Sequence, residues 1–549
     1  MTELAKKHWP PIVAAAVLLA TVTAFYLTSL AQNDGRLVYA LDDAYIHTAM
    51  AANFAEHSVW GVTRYGFSSA SSSPLWTLML AGTFYLFGVI EAAPLVLNAL
   101  AAVAVLILTY AILLRHTANR RAIFAVLLVV VFLIPLPTLI FAGMEHTVQV
   151  LINVAFAYLA AELLSREKTG ASRRFGRGEL ALAILAALVM AVRYEGMFLV
   201  GIVCLLALLR GRVLLSIVVA AGAAAPVVAY GLISLAHGWH FFPNSIILKG
   251  QTPDLFTPSG ALRFLLHGSD DSTLKIPRVL TLIAMIGLVA LFRSSRADGL
   301  WRRHTLMIVI FATAALLQIQ FAKVGWFYRY EAYLLALFIV TGAVCVLEDL
   351  ATKDVRLDRR ILGQHKFATA VITLGLAVFL LRGALALKET TQAMHDRCLE
   401  HIAMARFVER YYDGQLLMVN DIGAICHYTN ARVLDMFGLA SLEPVAFRKK
   451  PDGYTAADVH AWAVEQGVRV AILSVEWDEV APRIPEQWTL VGLWRLPQNV
   501  VFGTTAVGFL AIDPSAVDEL AANFKDFAAN VSPEVAQKGL RPDPAYVNR

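Results

Sequence analysis

Apolar runs about as long as a lipid bilayer is thick recur along this chain, and they constrain its fold more than any other feature. A helix needs about 20 consecutive apolar residues to cross the hydrocarbon core. Segment 12–30 supplies such a run, behind a short head that carries Lys6 and Lys7. Further runs lie near 94–114, 121–140, 147–164, 179–192, 197–210, 213–235, 278–294, 305–322, 331–349 and 367–386, with an ambiguous one at 74–90. The composition agrees: 58% of residues are hydrophobic and 16% are charged, against about 25% charged in soluble proteins. A water-soluble globule could not hide that much apolar surface.

The first run is longer than the core of a secretory signal peptide. Ser29, Leu30 and Ala31 resemble a cleavage site, but a retained span is the expectation. The net charge of +5 is small, and no basic stripe with interleaved aromatics is present, so nucleic acid is not an expected partner.

Lys and Arg settle the ambiguous run. They collect on the cytoplasmic side of membrane proteins, and the basic loops here are 115–121, 166–177, 210–212, 293–303 and 353–366. All of them fall on one side only if 74–90 lies in or dips into the opposite interface. The expected architecture is therefore mainly α: a polytopic transmembrane bundle of eleven spans plus one interfacial helix, in a bacterial inner membrane. The N-terminus is then cytoplasmic and the C-terminus outside. Ser73 followed by Pro74 is a strong start for the interfacial helix.

After residue 387 the composition changes. Segments 415–420, 468–475 and 488–496 read as strands, and 399–412 and 456–466 as helices, by apolar spacing. The expected division is a membrane module over 1–386 and an extracytoplasmic α/β domain over 387–549, ending in a helix and a loose tail. Cys398 and Cys426 both lie in that domain, where an oxidising compartment permits a disulfide if their Cα atoms come close enough. Cys204 and Cys345 read as core residues.

The outer face then collects the unusual polar residues. Asp42 and Asp43 follow the first span, where they serve as acidic first-turn residues of a helix or as a general base or metal ligand. Glu145, in Gly143-Met144-Glu145-His146, and Arg193 and Glu195, in Arg193-Tyr194-Glu195-Gly196, interrupt apolar sequence. Ion pairs of Arg193 with Glu145 or Glu195 are the bland account; a guanidinium gripping a phosphate is the sharper one. Lys249, Lys323 and Arg329 put positive charge on the face that usually lacks it, and a lipid phosphate would partner them. Trp326 and Tyr328 fit an interfacial aromatic belt. No nucleotide-binding loop, serine-hydrolase elbow or metal-spaced Cys/His cluster occurs.

In order, the motifs are D-D-A-Y-I-H (42–47), S-S-P-L-W (72–76), G-M-E-H (143–146), R-Y-E-G (193–196), F-P-N-S-I-I-L-K (242–249), N-D-I-G-A-I-C-H-Y (420–428) and V-L-D-M-F-G-L-A-S (433–441). This series resembles the GT-C superfamily of polytopic glycosyltransferases, nearest to the mycobacterial terminal β-arabinofuranosyltransferase-like branch, over roughly 40–440. The resemblance implies transfer of a sugar from a polyprenyl-phosphate donor to a glycan, lipid or protein acceptor on the outer face, with inversion. It places the catalytic acid at Asp42 and Asp43, with Asp42 expected as base and Asp43 in support. Arg193, Lys249, Lys323, Arg329, Glu145, Glu195 and His47 complete the expected donor and substrate site. Oxygen ligands at Asp42 or Asp43 would suit Mg²⁺, Mn²⁺ or Ca²⁺. The family's R-P-E-G reads R-Y-E-G here, and its Gly-Tyr before Ser-Pro reads Ser-Ser, which leaves the sugar open. The competing reading is a transporter or lipid flippase, although such proteins tend to show polar, broken spans at the midplane.

Overall fold

The structure is a computed structural model that describes residues 8–166, 176–249, 257, 287, 299–352, 366–501 and 504–539. The expected span at 278–294 lies outside the described residues, apart from residue 287.

The membrane module is a helical bundle: α1 (Trp9–Gln32), α2 (Asp42–His57), α3 (Pro74–Phe87), α4 (Ala93–Leu113), α5 (Arg120–Leu133), α6 (Leu136–Phe141), α7 (His146–Ser165), α8 (Arg177–Val192), α9 (Met197–Leu209), α10 (Val213–Ala236), the short α11 (Asn244–Lys249), α12 (Arg303–Phe321), α13 (Ala332–Thr352) and α14 (Lys366–Arg397). Among the described residues, five helices are long and apolar enough to cross a membrane: α1, α4, α7, α10 and α12. The chain is thus a multi-pass membrane protein. Helices α3, α9 and α13 are apolar but shorter; α3 rises only about 21 Å. Its start is as expected, with Ser73 Oγ accepting the Trp76 N–H and Pro74 in the first turn.

Helix α7 is the hub. It packs against α4, α8, α12 and α13, and 78% of its apolar window is buried, against 22% for the peripheral α1. Gly143, just before it, has φ +70°, and a Cβ there would lie 2.7 Å from Ala44 Cβ and Tyr39 Cδ1. Only glycine lets this corner press against the start of α2.

Helix α14 does not stop at the module's edge. It passes through a π-helical turn, Cys398–Ile402, directly into α15 (Ala403–Tyr412), and both flanking residues keep helical torsions. The expected boundary at 386/387 therefore falls inside a helix.

The second module is a six-stranded sheet in the order β2-β1-β3-β5-β4-β6. Its strands are β1 (Leu416–Val419), β2 (Arg432–Asp435), β3 (Val470–Ser474), β4 (Thr489–Arg495), β5 (Ala506–Ala511) and β6 (Ala536–Gly539), with helices α16 (Gly423–Tyr428), α17 (Glu443–Phe447), α18 (Ala456–Glu465) and α19 (Val517–Phe527). β2, β1 and β3 run parallel and the others antiparallel. Strands β1, β3 and β4 lie where the sequence predicts them; β2, β5 and β6 are additional. Alternate strand residues feed two cores. Leu417, Val419, Ile472 and Phe509 join Phe407 and Phe524 on one face. Met418, Ala471, Leu473 and Leu510 join Trp462 on the other. Ile46, Ala49 and Met50 of α2 belong to the first of these cores, so the membrane module inserts its own helix into the sheet domain.

None of the four cysteines forms a disulfide. Cys398 packs against the membrane-module core, whereas Cys426 lies in the sheet-domain core; the disulfide permitted by the sequence is absent because the two thiols serve different cores.

Candidate functional site

Asp42 and Asp43 open α2 at the seam between the modules. Side chains one residue apart on a helix diverge by about 100°, and these two take different partners. Asp42 turns to the sheet domain: its Oδ2 accepts the Gly423 N–H at 2.8 Å and its Oδ1 the Ala424 N–H at 2.9 Å. Asp43 turns to the membrane module, where Arg329 Nη2 donates to its Oδ2 at 2.7 Å. Asp42 therefore does fill the bland role of a helix-terminal acid, but on α16 as well as on its own helix.

The sheet explains what Asp42 meets. The chain leaves β1 toward β2 on one side and returns to β3 on the other, so β1 ends at a topological switch point, where open α/β sheets gather ligands. Asn420 and Asp421 follow β1 directly. Asp421 Oδ2 accepts from Asn420 Nδ2 at 2.7 Å and from Ser474 Oγ at 3.0 Å. The π-turn after α14 brings Glu400 and His401 to the same place: His401 Nε2 lies 3.6 Å from Asp421 Oδ1 and its Nδ1 lies 3.5 Å from Glu400 Oε2. Arg397 Nη1 sits 2.8 Å from His401 Nδ1.

This cluster balances itself electrostatically. Burial pushes the Asp42 carboxyl up, with His401 opposing. Burial acts the same way on Asp421, but its hydrogen bond and charge interaction with His401, then Arg397, hold it below the usual carboxylate range. His401 is lowered by burial and by Arg397, yet ends above its ordinary value because Glu400, Asp42 and Asp421 favour the imidazolium. Asp42, His401 and Asp421 also bring one ligating atom each within 4.8 Å of one another. One imidazole nitrogen and two carboxylate oxygens fit a divalent cation in kind, and these three residues would hold it. Asp43 is outside this set, tied to Arg329 instead.

A cavity of about 310 Å³ opens at the seam. Asp42, Asp43, Lys323, Arg329 and Tyr330 line it from the membrane module; Asn420, Asp421, Phe437, Trp477 and Glu479 line it from the sheet domain. Four expected site residues thus converge: Asp42, Asp43, Lys323 and Arg329. Lys249 ends α11, next to the lining residue Leu248, but its side chain lies outside the described residues. The other four do not line the cavity. Arg193 is buried, donating to Glu145 Oε1 at 2.5 Å and to Glu195 Oε1 at 2.8 Å. His47 Nε2 lies 3.8 Å from Glu145 Oε2. The bland account of Arg193 is the one observed: two carboxylates occupy its guanidinium, so it does not offer a phosphate grip in this cavity. This buried group lies behind Tyr330, whose ring both Arg193 and Arg329 approach, at 5.3 and 5.0 Å from Cζ to centroid.

Arg329 is a different case. It is 1% exposed, yet its Nε and Nη1 have no hydrogen-bond partner among the described residues. Unsatisfied donors on a buried charge cost about 1–3 kcal/mol or more, a cost an anion at the cavity would relieve. The backbone leading to Arg329 is unusual as well. Gly325, Trp326, Phe327 and Tyr328 have φ of 87°, 46°, 53° and 64°, four consecutive residues in the left-handed region, which costs L-residues about 1–2 kcal/mol each.

Arg397, Glu400, His401 and Asp421 escaped the sequence-based reading. Asp421 lies in the N-D-I-G motif, which was visible; His401 sat inside a stretch read only as an amphipathic helix.

Solved structures with a similar fold exist. The structure of ArnT from Cupriavidus metallidurans bound to undecaprenyl phosphate aligns with TM-score 0.52 at 12% identity, covering 91% of this chain and 98% of that one. The apo form of the same protein gives TM-score 0.50 at 14% identity, over 92% and 99%. This chain shares the fold of ArnT. A weaker alignment, TM-score 0.46 at 12% identity over 88% and 73%, is to the Archaeoglobus fulgidus oligosaccharyltransferase complex with Zn and sulfate. Residues 388–510 match a domain of unknown function (DUF8728). That stretch spans the end of α14 through β5 and so contains the sheet-domain wall of the cavity. No curated protein sequence matches the chain.

Proposed function

We propose that this protein is a membrane glycosyltransferase that moves a sugar from a polyprenyl-phosphate donor to a cell-envelope acceptor, with inversion, on the outer face of a bacterial inner membrane. The observation that carries the reading is the cavity in which Asp42 and Asp43 face Arg329 and Lys323. The GT-C resemblance supports the class, and the ArnT structure holding undecaprenyl phosphate supports the donor. The orientation rests on the Lys/Arg distribution in the sequence.

Asp42, whose carboxylate is held by the Gly423 and Ala424 N–H groups, serves as general base and takes the proton of the acceptor hydroxyl. The hydroxyl oxygen then bonds to the anomeric carbon, and the carbon–oxygen bond to phosphate breaks with its electron pair. Arg329 and Lys323, on the membrane side, hold the charge that develops on the departing polyprenyl phosphate. Asp43 orients Arg329. The arabinofuranosyl branch, and hence a pentosyl donor, rests on the sequence motifs alone.

The test uses the full chain in nanodiscs with labelled hexosyl and pentosyl polyprenyl phosphates. Transfer is expected with one sugar class, falling about 10²–10⁴-fold in Asp42→Asn. Wild-type rates in both Asp42→Asn and Asp43→Asn would remove the base, and lipid movement without transfer would favour a flippase.

A further inference from the structure

The left-handed turn 325–328 is held from outside itself. Glu331 Oε2 accepts the Gly325 N–H at 2.8 Å, and Glu331 is ion-paired to Arg382 of α14. Arg382 Nη2 also donates to the Tyr328 carbonyl at 3.3 Å, and its guanidinium lies 4.8 Å from the Tyr328 ring centroid. Two turns further along α14, Glu389 Oε2 accepts the Tyr328 hydroxyl at 2.6 Å. Backbone in a sparsely populated region persists only where its surroundings over-determine it, and such positions cluster at ligand clamps. Here the turn delivers Trp326 and Arg329 to the cavity wall, with Lys323 just before it.

We infer that Glu389, Arg382 and Glu331 are positioning residues for the donor phosphate: they keep the turn left-handed so that Arg329 stands in the cavity wall beside Asp43. The assignment rests on the polyprenyl-phosphate reading for its ligand, but not for its geometry. None of the three lines the cavity, so their effect on the donor passes through the turn.

The experiment compares the full chain with Tyr328→Phe, Glu389→Ala and Glu389→Gln. The glutamine carbonyl can still accept the Tyr328 hydroxyl. Two readouts are taken: binding of undecaprenyl phosphate alone in nanodiscs, and amide hydrogen exchange of the peptide over 322–331. Tyr328→Phe and Glu389→Ala should weaken binding about tenfold, the worth of one hydrogen bond to a charged group, and speed exchange in 322–331 while other peptides keep their rates. Glu389→Gln should restore both. With a sugar donor, KM should rise more than kcat falls. Unchanged binding and unchanged exchange in Tyr328→Phe and Glu389→Ala would overturn the inference, as would equal loss in Glu389→Gln and Glu389→Ala. If the wild type binds no undecaprenyl phosphate, the proposed donor is wrong, and the exchange rates alone decide whether α14 holds the turn.

Discussion

Asp42 accepts the main-chain N–H of Gly423 at 2.8 Å across 381 positions of sequence, joining the first helix after the membrane entry to the first helix of the sheet domain. The contact is so close that a Cβ on residue 423 would lie 2.2 Å from the Asp42 carbonyl oxygen and 2.7 Å from its Oδ2. Gly423→Ala should therefore push the seam apart. Overpacking of this kind costs about 1–3 kcal/mol. A lowered Tm together with lost transfer is expected, and wild-type values of both would show that the seam yields freely.

Arg329 joins Asp43 to the proposed anion site. Arg329→Gln keeps a polar side chain but removes the charge, and should reduce kcat/KM for the donor about 10²–10³-fold, as loss of one preorganised donor does. Arg329→Lys, a point charge without the guanidinium fork, should recover only part. Steady-state kinetics over a range of donor concentrations check both.

His427, in α16, gives the sheet domain a pH dependence. Burial depresses it from 6.5 to about 4, so between those values the unfolded chain binds the proton and the folded one does not. Stability from this group is full above pH 6.5 and falls as pH drops toward 4, by on the order of 3 kcal/mol. Asp435, raised by burial to about 6, acts in the opposite direction over much of the same window. The difference between wild type and His427→Asn isolates the histidine: the gap in Tm should change between pH 7 and pH 4.5, with the wild type losing more. Parallel curves would show that His427 is not the group responsible.

With no disulfide among the four cysteines and Cys398 and Cys426 in separate cores, a reducing agent should leave Tm unchanged in protein purified from an oxidising compartment. A drop on reduction would reveal a bridge.

Much of the bundle was legible because span-length apolar runs obey one local rule, and β1, β3 and β4 because each is a short apolar run between turn signals. β5 escaped although all six residues are buried, since Gly508 interrupts its apolar run and weakens a strand reading. β6 is exposed throughout and carries no pattern. In the site, Asp42, Asp43, Lys323 and Arg329 stood out as charges on an unusual face. Arg193 stood out for the same reason yet serves a buried ion-pair group, because charge alone does not distinguish a partner on the chain from one on a ligand. His401 gave no signal: its place beside Asp421 depends on a π-turn and on docking between distant segments, neither of which has a local signature.

The unbroken helical path over 366–412 behaves as a lever. One part of it belongs to the membrane bundle, its middle holds the turn before Arg329 through Arg382 and Glu389, and its far part carries His401 to the Asp42 cluster. Helices adapt to bilayer thickness by tilting, and a continuous helical path carries tilt from the bundle toward the sheet domain. Lipid chain length would then set how well the two walls of the cavity meet, so the proposed transfer should run at different rates in thin and thick membranes without any change to the residues that line the cavity.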